Sequence, residues 1–321
     1  MESIRDHLEI FIVTYNRESY LQKTLDMLCE SPFAICHITI LNNASTDDTL
    51  KICNDYKNKF YNLSIITNKI NIGANANMLR AIEISNGKYT WILADDDEYD
   101  FSNCDDFLEA IFYEKADLIH VGAHTDVPWK FGGELNSPRN LCRKGYPFFR
   151  FSSFVPCNVF KTKYFYPYII QGYKNIVNLY SLMPFFMSFH ELNKDIYITK
   201  NRIVKAVIGQ QRYSIRDFYE GWLNTSLLFR SKNDQILMFR NQFSDDFNTK
   251  YNIMKKKLFS VAVLFRLIRL RVSLVKHYNL FGGVLFLGSF ILLPLFCFYL
   301  ILKKSMNKLI KKKLFNKRQM Q

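Results

Sequence analysis

The chain has 321 residues, 49% of them hydrophobic and 16% aromatic, which excludes a disordered protein and allows one large packed domain or two modest ones. Its net charge of +14 is concentrated at one end: residues 251–321 hold fifteen Lys or Arg and no Asp or Glu, leaving the preceding 250 residues at −1. A neutral body with a basic tail interrupted by apolar residues argues against nucleic acid as the partner. The seven cysteines show no CxxC and no Cys/His zinc spacing, so they read as reduced thiols. Met1 to Glu9 carries both charge signs before a short apolar run, which does not read as a signal peptide.

Leu8 to Val13 predicts a first strand, running into the polar turn Thr14, Tyr15, Asn16 and Arg17 and then into a helix marked by Tyr20, Leu21, Leu25 and Leu28. Ile38 to Leu41 predicts a second strand ending in Asn42 and Asn43. Ser45 or Thr46 is expected to cap the next helix, with Asp47 and Asp48 in its first turn. Leu63 to Thr67 is a third strand. The loop from Asn68 through Asn71 to Gly73 opens a helix carrying Asn77, which Gly87 is expected to close. The free N–H groups at the start of that helix suit a phosphate or sugar hydroxyls.

Thr90 to Leu93 predicts a buried fourth strand, followed after Ala94 by Asp95, Asp96 and Asp97. Adjacent carboxylates repel one another, and a divalent cation at the strand end would relieve them. In an extended segment Asp95 and Asp97 share a side, about 7 Å apart. An acidic solvated turn is the plainer reading of the same residues. A calcium loop fails, because it would put Phe101 where glycine is needed and Phe107 at the bidentate position. Strands alternating with helices imply an open, mainly parallel α/β sheet with helices on both faces. All four polar clusters then fall at the carboxyl ends of its strands, where such sheets bind ligands.

Farther along, Asp126 to Pro147 reads as a long irregular loop in which Trp129 either stacks on a sugar or anchors the chain. Phe148 to Tyr168 supplies either a core layer or an acceptor groove. Ile196 to Val207 predicts a late strand, and Ile215 to Phe229 a helix with Phe218, Trp222 and Leu223 on one face. Lys255 to Tyr278 predicts a basic amphipathic helix for an anionic membrane surface. Leu280 to Leu302 has no charged residue and is long enough to span or re-enter a bilayer. Basic flanks on both sides leave its orientation open.

The sequences TYNR, LNNASTDDT, NIGANAN and ILADDD, in that order and at those intervals, resemble the family 2 glycosyltransferases of the GT-A fold. The resemblance covers residues 8 to 125. It implies inversion at the anomeric carbon, a UDP- or dTDP-linked sugar donor, and Mg2+ or Mn2+ on the acidic motif. It places Thr14, Tyr15, Asn16, Arg17, Asn43, Asp47, Asn71, Gly73, Asn77, Asp95 and Asp96 around the donor, with Asp95 and Asp97 on the metal; which pair of the three aspartates binds the metal stays open. The family also places an acidic base at the start of a helix some 80 residues after the metal motif. Here that helix, expected from Asn175 to Leu192, opens without a carboxylate. His190 and Glu191 at its other end are the base candidates, with Asp126 and Glu134 in the loop before it. The expected organisation is a glycosyltransferase domain over 1–235, a basic amphipathic region over 236–278, an apolar membrane segment over 279–302 and a basic tail over 303–321. The expected role is sugar transfer to a lipid-linked or surface-glycan acceptor at the cytoplasmic face of the membrane. A non-catalytic nucleotide-sugar-binding protein is the alternative.

Overall fold

Apolar runs of six or seven residues, each ending in a polar cluster, set the first half of the fold. The structure is a computed structural model and describes residues 4–124, 129–205, 207 and 214–243. These lie in one of the chain's two units, Met1–Asp245. The amphipathic, apolar and basic segments expected after Lys255 lie outside the described residues. Among the described residues no helix is long and apolar enough to cross a membrane.

Strands β1 (Leu8–Thr14), β2 (His37–Asn42), β3 (Asn62–Thr67) and β4 (Tyr89–Ala94) are all parallel, in the spatial order β3-β2-β1-β4. Residues 8–12 and 89–93 are almost continuously buried, as expected for strands covered on both faces. The chain moves outward from β1 to β3, then crosses back to place β4 on the other side of β1. Right-handed crossovers therefore put the helices Glu18–Cys29 and Thr49–Asp55 on one face and Ala74–Ile84 on the other. The direction of winding reverses between β1 and β4, and a crevice opens at the carboxyl ends of that pair.

Beyond β4 the sheet becomes mixed. The two-residue β5 (Glu98–Tyr99) leaves it, then β6 (Leu118–His120), β7 (Glu134–Asn136), β8 (Asn158–Lys161) and β9 (Ile196–Ile198) complete eight strands in the order β3-β2-β1-β4-β8-β6-β9-β7. β8 runs antiparallel to both β4 and β6, and β7 antiparallel to β9. The expected late strand is two pieces, β9 and β10 (Val204–Lys205); β10 pairs antiparallel with β5 in a separate ribbon. The expected loop after Asp126 is also more ordered than its glycines and prolines suggest, since it contains β7 and the helix Pro138–Arg143, capped by Ser137. Asp126 itself lies outside the described residues.

The phenylalanines of the aromatic run after Pro147 form a core layer, while Tyr164 and Tyr166 near its end are exposed. Phe148, Phe149, Phe160 and Phe165 are fully buried, and Phe165 meets Phe185 with ring centroids 4.6 Å apart. Trp129 is an anchor: its indole N–H donates to the Thr199 carbonyl at 2.8 Å and its ring meets Phe151 edge-on. In the helix Ile215–Ser226, Trp222 is buried against Tyr180. The helix Lys232–Phe243 joins the same body through buried Met238.

Gly87 has a different role from the one expected. The helix Ala74–Ile84 ends on Ser85 in an extended conformation, two residues short of the glycine. What Gly87 provides is close approach: a Cβ there would lie 2.6 Å from the Glu9 Cβ and 2.8 Å from the Tyr89 carbonyl oxygen. The buried Glu9 carboxylate accepts the N–H groups of Asn86 and Gly87 at 2.8 and 2.9 Å, tying the entry of β4 to β1. Gly87→Ala is expected to destabilise the protein by about 1–3 kcal/mol in urea denaturation, because backbone and not only side chain must move, while ligand affinity at the opposite end of the strands stays unchanged.

Candidate functional site

The crevice is built from four loops. Asn16 takes a left-handed backbone conformation (φ 51°), which asparagine tolerates better than most residues. Its N–H donates to Ser45 Oγ at 2.9 Å, and its Oδ1 accepts the Thr46 N–H at 2.8 Å. The Arg17 N–H reaches Thr49 Oγ1 at 3.0 Å, and Glu18 accepts the Asp48 N–H at 3.0 Å. The loop after β1 is therefore stitched to the loop after β2. Asp48, rather than Ser45 or Thr46, stands at the N-cap of Thr49–Asp55, so neither aspartate lies in the helix's first turn. Asp47 serves the seam, accepting the Thr49 N–H and hydroxyl. Burial raises its carboxyl pKa, but the bonds from Thr49 and Glu18 outweigh that and hold it below the usual value.

An asparagine lattice joins the second and third loops. Buried Asn68 donates through one amide group to Asn43 Oδ1 at 2.8 Å and to Asn77 Oδ1 at 2.9 Å. Asn43 donates to Asn71 Oδ1 at 2.8 Å and accepts the Ile72 N–H at 3.0 Å. Asn71 also accepts the Gly73 N–H at 2.8 Å, and Asn77 donates to the Leu41 carbonyl at 3.0 Å. Gly73 sits at the N-cap of Ala74–Ile84 with φ +83°, and nothing lies within 4 Å of where its Cβ would be. Backbone conformation selects glycine here, and the helix start is left open.

β4 delivers the carboxylates. In the register Val13 pairs with Ala94, so Thr14 and Asp95 continue side by side past the last pair. The Tyr99 hydroxyl accepts the Ala94 N–H at 3.0 Å and donates to the Ala94 carbonyl at 2.9 Å, closing the acidic turn on itself. The turn is bent rather than extended, yet Asp95 and Asp97 are 7% and 6% exposed while Asp96 faces Arg17, its Oδ2 3.0 Å from Nη2. The backbone thus separates one surface ion pair from two buried acids. Asp97 accepts the Val207 N–H at 3.2 Å. Thr14 Oγ1 and Asp95 Oδ2 are both buried without a hydrogen bond of normal geometry among the described residues, although the hydroxyl is near enough to favour the ionised carboxylate. Burial pushes the Asp95 carboxyl up to about 6 and Asp97 up to about 7, with the neighbouring aspartates adding to the rise.

Thr14 at the end of β1, and Tyr15, Asn16, Arg17, Asn43, Asp47, Asn71, Gly73, Asn77 and Asp95 to Asp97 in the loops or helix starts, thus all lie at one end of the parallel strands. His190 and Glu191 are placed differently. His190 is buried between Phe149 and Phe229, with Nε2 2.8 Å from Asp234 Oδ1; burial lowers its pKa despite that partner. Glu191 is exposed at the last position of the helix Met183–Glu191, about 12 Å of helix rise from its first residue. Glu134 is exposed on β7. The helix expected from Asn175 is broken by Leu179, which has φ 66°, and starts only at Met183. Just before it, Ser181 Oγ donates to Asn75 Oδ1 at 2.9 Å, bringing this segment against the first turn of Ala74–Ile84. That contact, 106 residues apart in sequence, has no local signature, and neither does the Tyr99 clasp.

Among the described residues no group of three His, Cys, Asp or Glu side chains is placed to hold a metal on protein ligands alone. Mg2+ and Mn2+ sites that serve phosphate esters commonly use one or two carboxylates and take the remaining oxygens from substrate. Asp95 and Asp97 fit that donor set, and the unpartnered buried Asp95 Oδ2 is the oxygen such a cation would satisfy.

A hydrogen-bonded loop framework around two buried acids at a switch point is the layout in which open α/β sheets bind ligands. Residues 9–154 match the family described as Glycosyl transferase family 2. These residues carry a family 2 glycosyltransferase domain, of the GT-A type. Over 90 residues it is 38% identical to abequosyltransferase RfbV of Salmonella typhimurium, and over 95 residues 34% identical to the poly(ribitol-phosphate) beta-glucosyltransferase of Bacillus spizizenii. These matches cover 27% and 29% of this chain but only 27% and 15% of the two relatives. In fold it is similar to S. aureus TarS in complex with UDP-GlcNAc, with a TM-score of 0.61 at 16% identity over 85% of this chain and 82% of that one. It is also similar to the mannosyltransferase PcManGT of Pyrobaculum calidifontis in complex with GDP-Man and Mn2+, with a TM-score of 0.54 at 10% identity over 89% and 86%.

The raised carboxyl values make a pH prediction. An unfolded chain releases these protons near 3.8 and the folded one near 6 and 7, so in between the native state binds more protons and its stability falls as pH rises. A divalent cation competes for the same oxygens and needs them ionised. Mn2+ is therefore expected to raise the melting temperature more at about pH 8 than at about pH 5, and the pH dependence of that rise should shrink in Asp97→Asn.

Proposed function

We propose that the domain is an inverting glycosyltransferase that moves a sugar from a UDP- or dTDP-linked donor to a lipid-linked or surface-glycan acceptor at the cytoplasmic face of a membrane. The observation that carries the reading is the pair of buried acids, Asp95 and Asp97, beside Thr14 at the switch point, with Arg17 and the open helix start at Gly73 on the same rim. Of the relatives, the abequosyltransferase supports transfer of a hexose-type sugar and the poly(ribitol-phosphate) beta-glucosyltransferase supports a polymeric surface acceptor. Two fold neighbours, one in complex with UDP-GlcNAc and one with GDP-Man and Mn2+, support a nucleotide-sugar donor and a divalent ion. The apolar and basic composition of residues 255–318 supports a membrane-bound acceptor.

In such a transfer the acceptor oxygen bonds to the anomeric carbon as the bond from that carbon to the diphosphate breaks, and negative charge gathers on the departing diphosphate. Mg2+ or Mn2+ held by Asp95 and Asp97 would offset that charge. Arg17 adds a guanidinium suited to paired phosphate oxygens, and Asp96 holds it in place until substrate competes for it. The asparagine lattice fixes the loops without adding charge, so donor binding costs little reorganisation.

A second reading, a nucleotide-sugar-binding protein without turnover, is favoured by one observation: Ile176 to Leu182, the segment lying against the rim, contains no carboxylate to act as base. Purified full-length protein with Mn2+ and a panel of nucleotide-sugars separates the two. Transfer or donor hydrolysis is expected, falling about 10²- to 10³-fold in Asp95→Asn and in Asp97→Asn with the fold retained by circular dichroism. Metal-dependent thermal stabilisation by a donor with no turnover would select the second reading. Absence of both signals with every donor would end both.

A further inference from the structure

From Leu135 to His190 the sequence has seven Lys or Arg and no Asp or Glu. Within this stretch the chain runs as a nearly continuous helical rod: Thr162–Phe165, a 3-10 turn Tyr166–Tyr168, Ile169–Lys174, and a 3-10 turn Ile176–Asn178. Its inner side is packed. Phe165, Gly172 and Asn175 are buried, and a Cβ on Gly172 would meet Leu79 at 2.7 Å. Its outer side repeats every three or four residues, as one face of a helix does.

That outer face carries the wrong residues for water. Tyr166, Ile170 and Val177 are 47%, 65% and 85% exposed, and Tyr173 is exposed between them. Lys163 and Lys174 are exposed on the same rod. Of the carboxylates nearby, Glu83 faces the Tyr173 phenol together with Arg80, and Glu114 and Asp117 are taken up by Lys161 at the rod's start. Aliphatic and tyrosyl groups in a line, flanked by lysines, match the headgroup layer of a bilayer. There the apolar parts reach the acyl boundary, and the phenols and ammonium groups stay with the phosphates.

We propose that this ridge is a second membrane-contact surface, on the glycosyltransferase body itself, and that it rests on an anionic bilayer. The occupant follows from charge: the exposed charged side chains on the rod itself, Lys163 and Lys174, are both positive and complement anionic lipid. The position gives the contact a purpose. The rod's far end leads from Val177 to Ser181, which bonds Asn75 in the first turn of Ala74–Ile84, so the ridge ends beside the rim that would receive a lipid-linked acceptor. In that purpose the inference rests on the function proposed above, but the contact itself is measured without donor or turnover, so each can fail alone.

The test uses the full chain, because the basic tail has its own affinity for vesicles and total binding does not report on the ridge. Val177→Trp places a reporter at the ridge crest, and Tyr61→Trp places one at another exposed site, Tyr61 being 69% exposed. Each is mixed with vesicles containing about 30% phosphatidylglycerol and lipids brominated on the acyl chain, and quenching beyond that of the parent chain is read. Excess quenching is expected for Val177→Trp and not for Tyr61→Trp. Adding Ile170→Glu to Val177→Trp should reduce the excess by half or more, and vesicles of phosphatidylcholine alone should also give less. Equal quenching in parent and Val177→Trp, with tail-driven vesicle binding intact, overturns the proposal. A concentration-dependent dimer abolished by Ile170→Glu, with no excess quenching, overturns it too and assigns the ridge to a second copy of the chain.

Discussion

The site depends on keeping two carboxyl groups out of water at the end of one strand. A carboxylate loses favourable hydration when buried, and the loss is tolerable only where bonds or a cation replace the water. Here the replacements are partial. Asp97 has the Val207 N–H, Asp95 has the nearby Thr14 hydroxyl, and Arg17 is engaged mainly with Asp96. The backbone holds the arrangement: Tyr99 clasps both polar groups of Ala94, and β5 pairs with β10 to fix the exit of the turn. The turn so held presents two acids whose lost hydration is only partly replaced.

The remaining rim works by the opposite chemistry. Asn42, Asn43, Asn68 and Asn77 are buried among the loops, and an amide both donates and accepts, so each can satisfy several backbone or side-chain groups without a charge. Carboxylates in those places would have spread negative potential along the crevice and repelled a diphosphate. With neutral amides joining the second and third loops, the carboxylates of the rim are the acidic turn and the Asp47, Asp48 and Glu18 cluster at the seam of the first two loops. Asp47 is spent on Thr49 and the backbone of Glu18, so its charge is taken up within the seam.

Much of the first half was readable from sequence because each strand there is a buried apolar run and each loop after it is polar. The four clusters had to converge once the sheet was parallel. Beyond His120 the signals weaken for physical reasons. The strands shrink to three or four residues and enter the sheet out of chain order, so periodicity has no length in which to show. A nearly all-apolar segment such as Met183 to Phe189 hides helix boundaries, and the left-handed Leu179 that breaks the preceding helix has no sequence mark, since leucine rarely adopts that conformation. Gly87 and Trp129 show the same limit. Their residue types were informative, but steric approach to Glu9 and a bond to Thr199 are facts of the third dimension.

One compositional feature links the site to the surface beyond it. The stretch from Leu135 to His190 lacks carboxylates altogether, so the segment that lies against the rim at Ser181 brings a hydroxyl there and no acid. The same absence leaves the rod from Thr162 to Asn178 positive and apolar on its outer side. Were base placement the only demand on this region, a single acid near residue 181 would meet it, and the outer face would be free to take ordinary surface residues. The absence of negative charge over the whole stretch fits a demand acting on the stretch as a whole. Proximity to an anionic surface is such a demand, because one carboxylate near the headgroups offsets the attraction of one lysine.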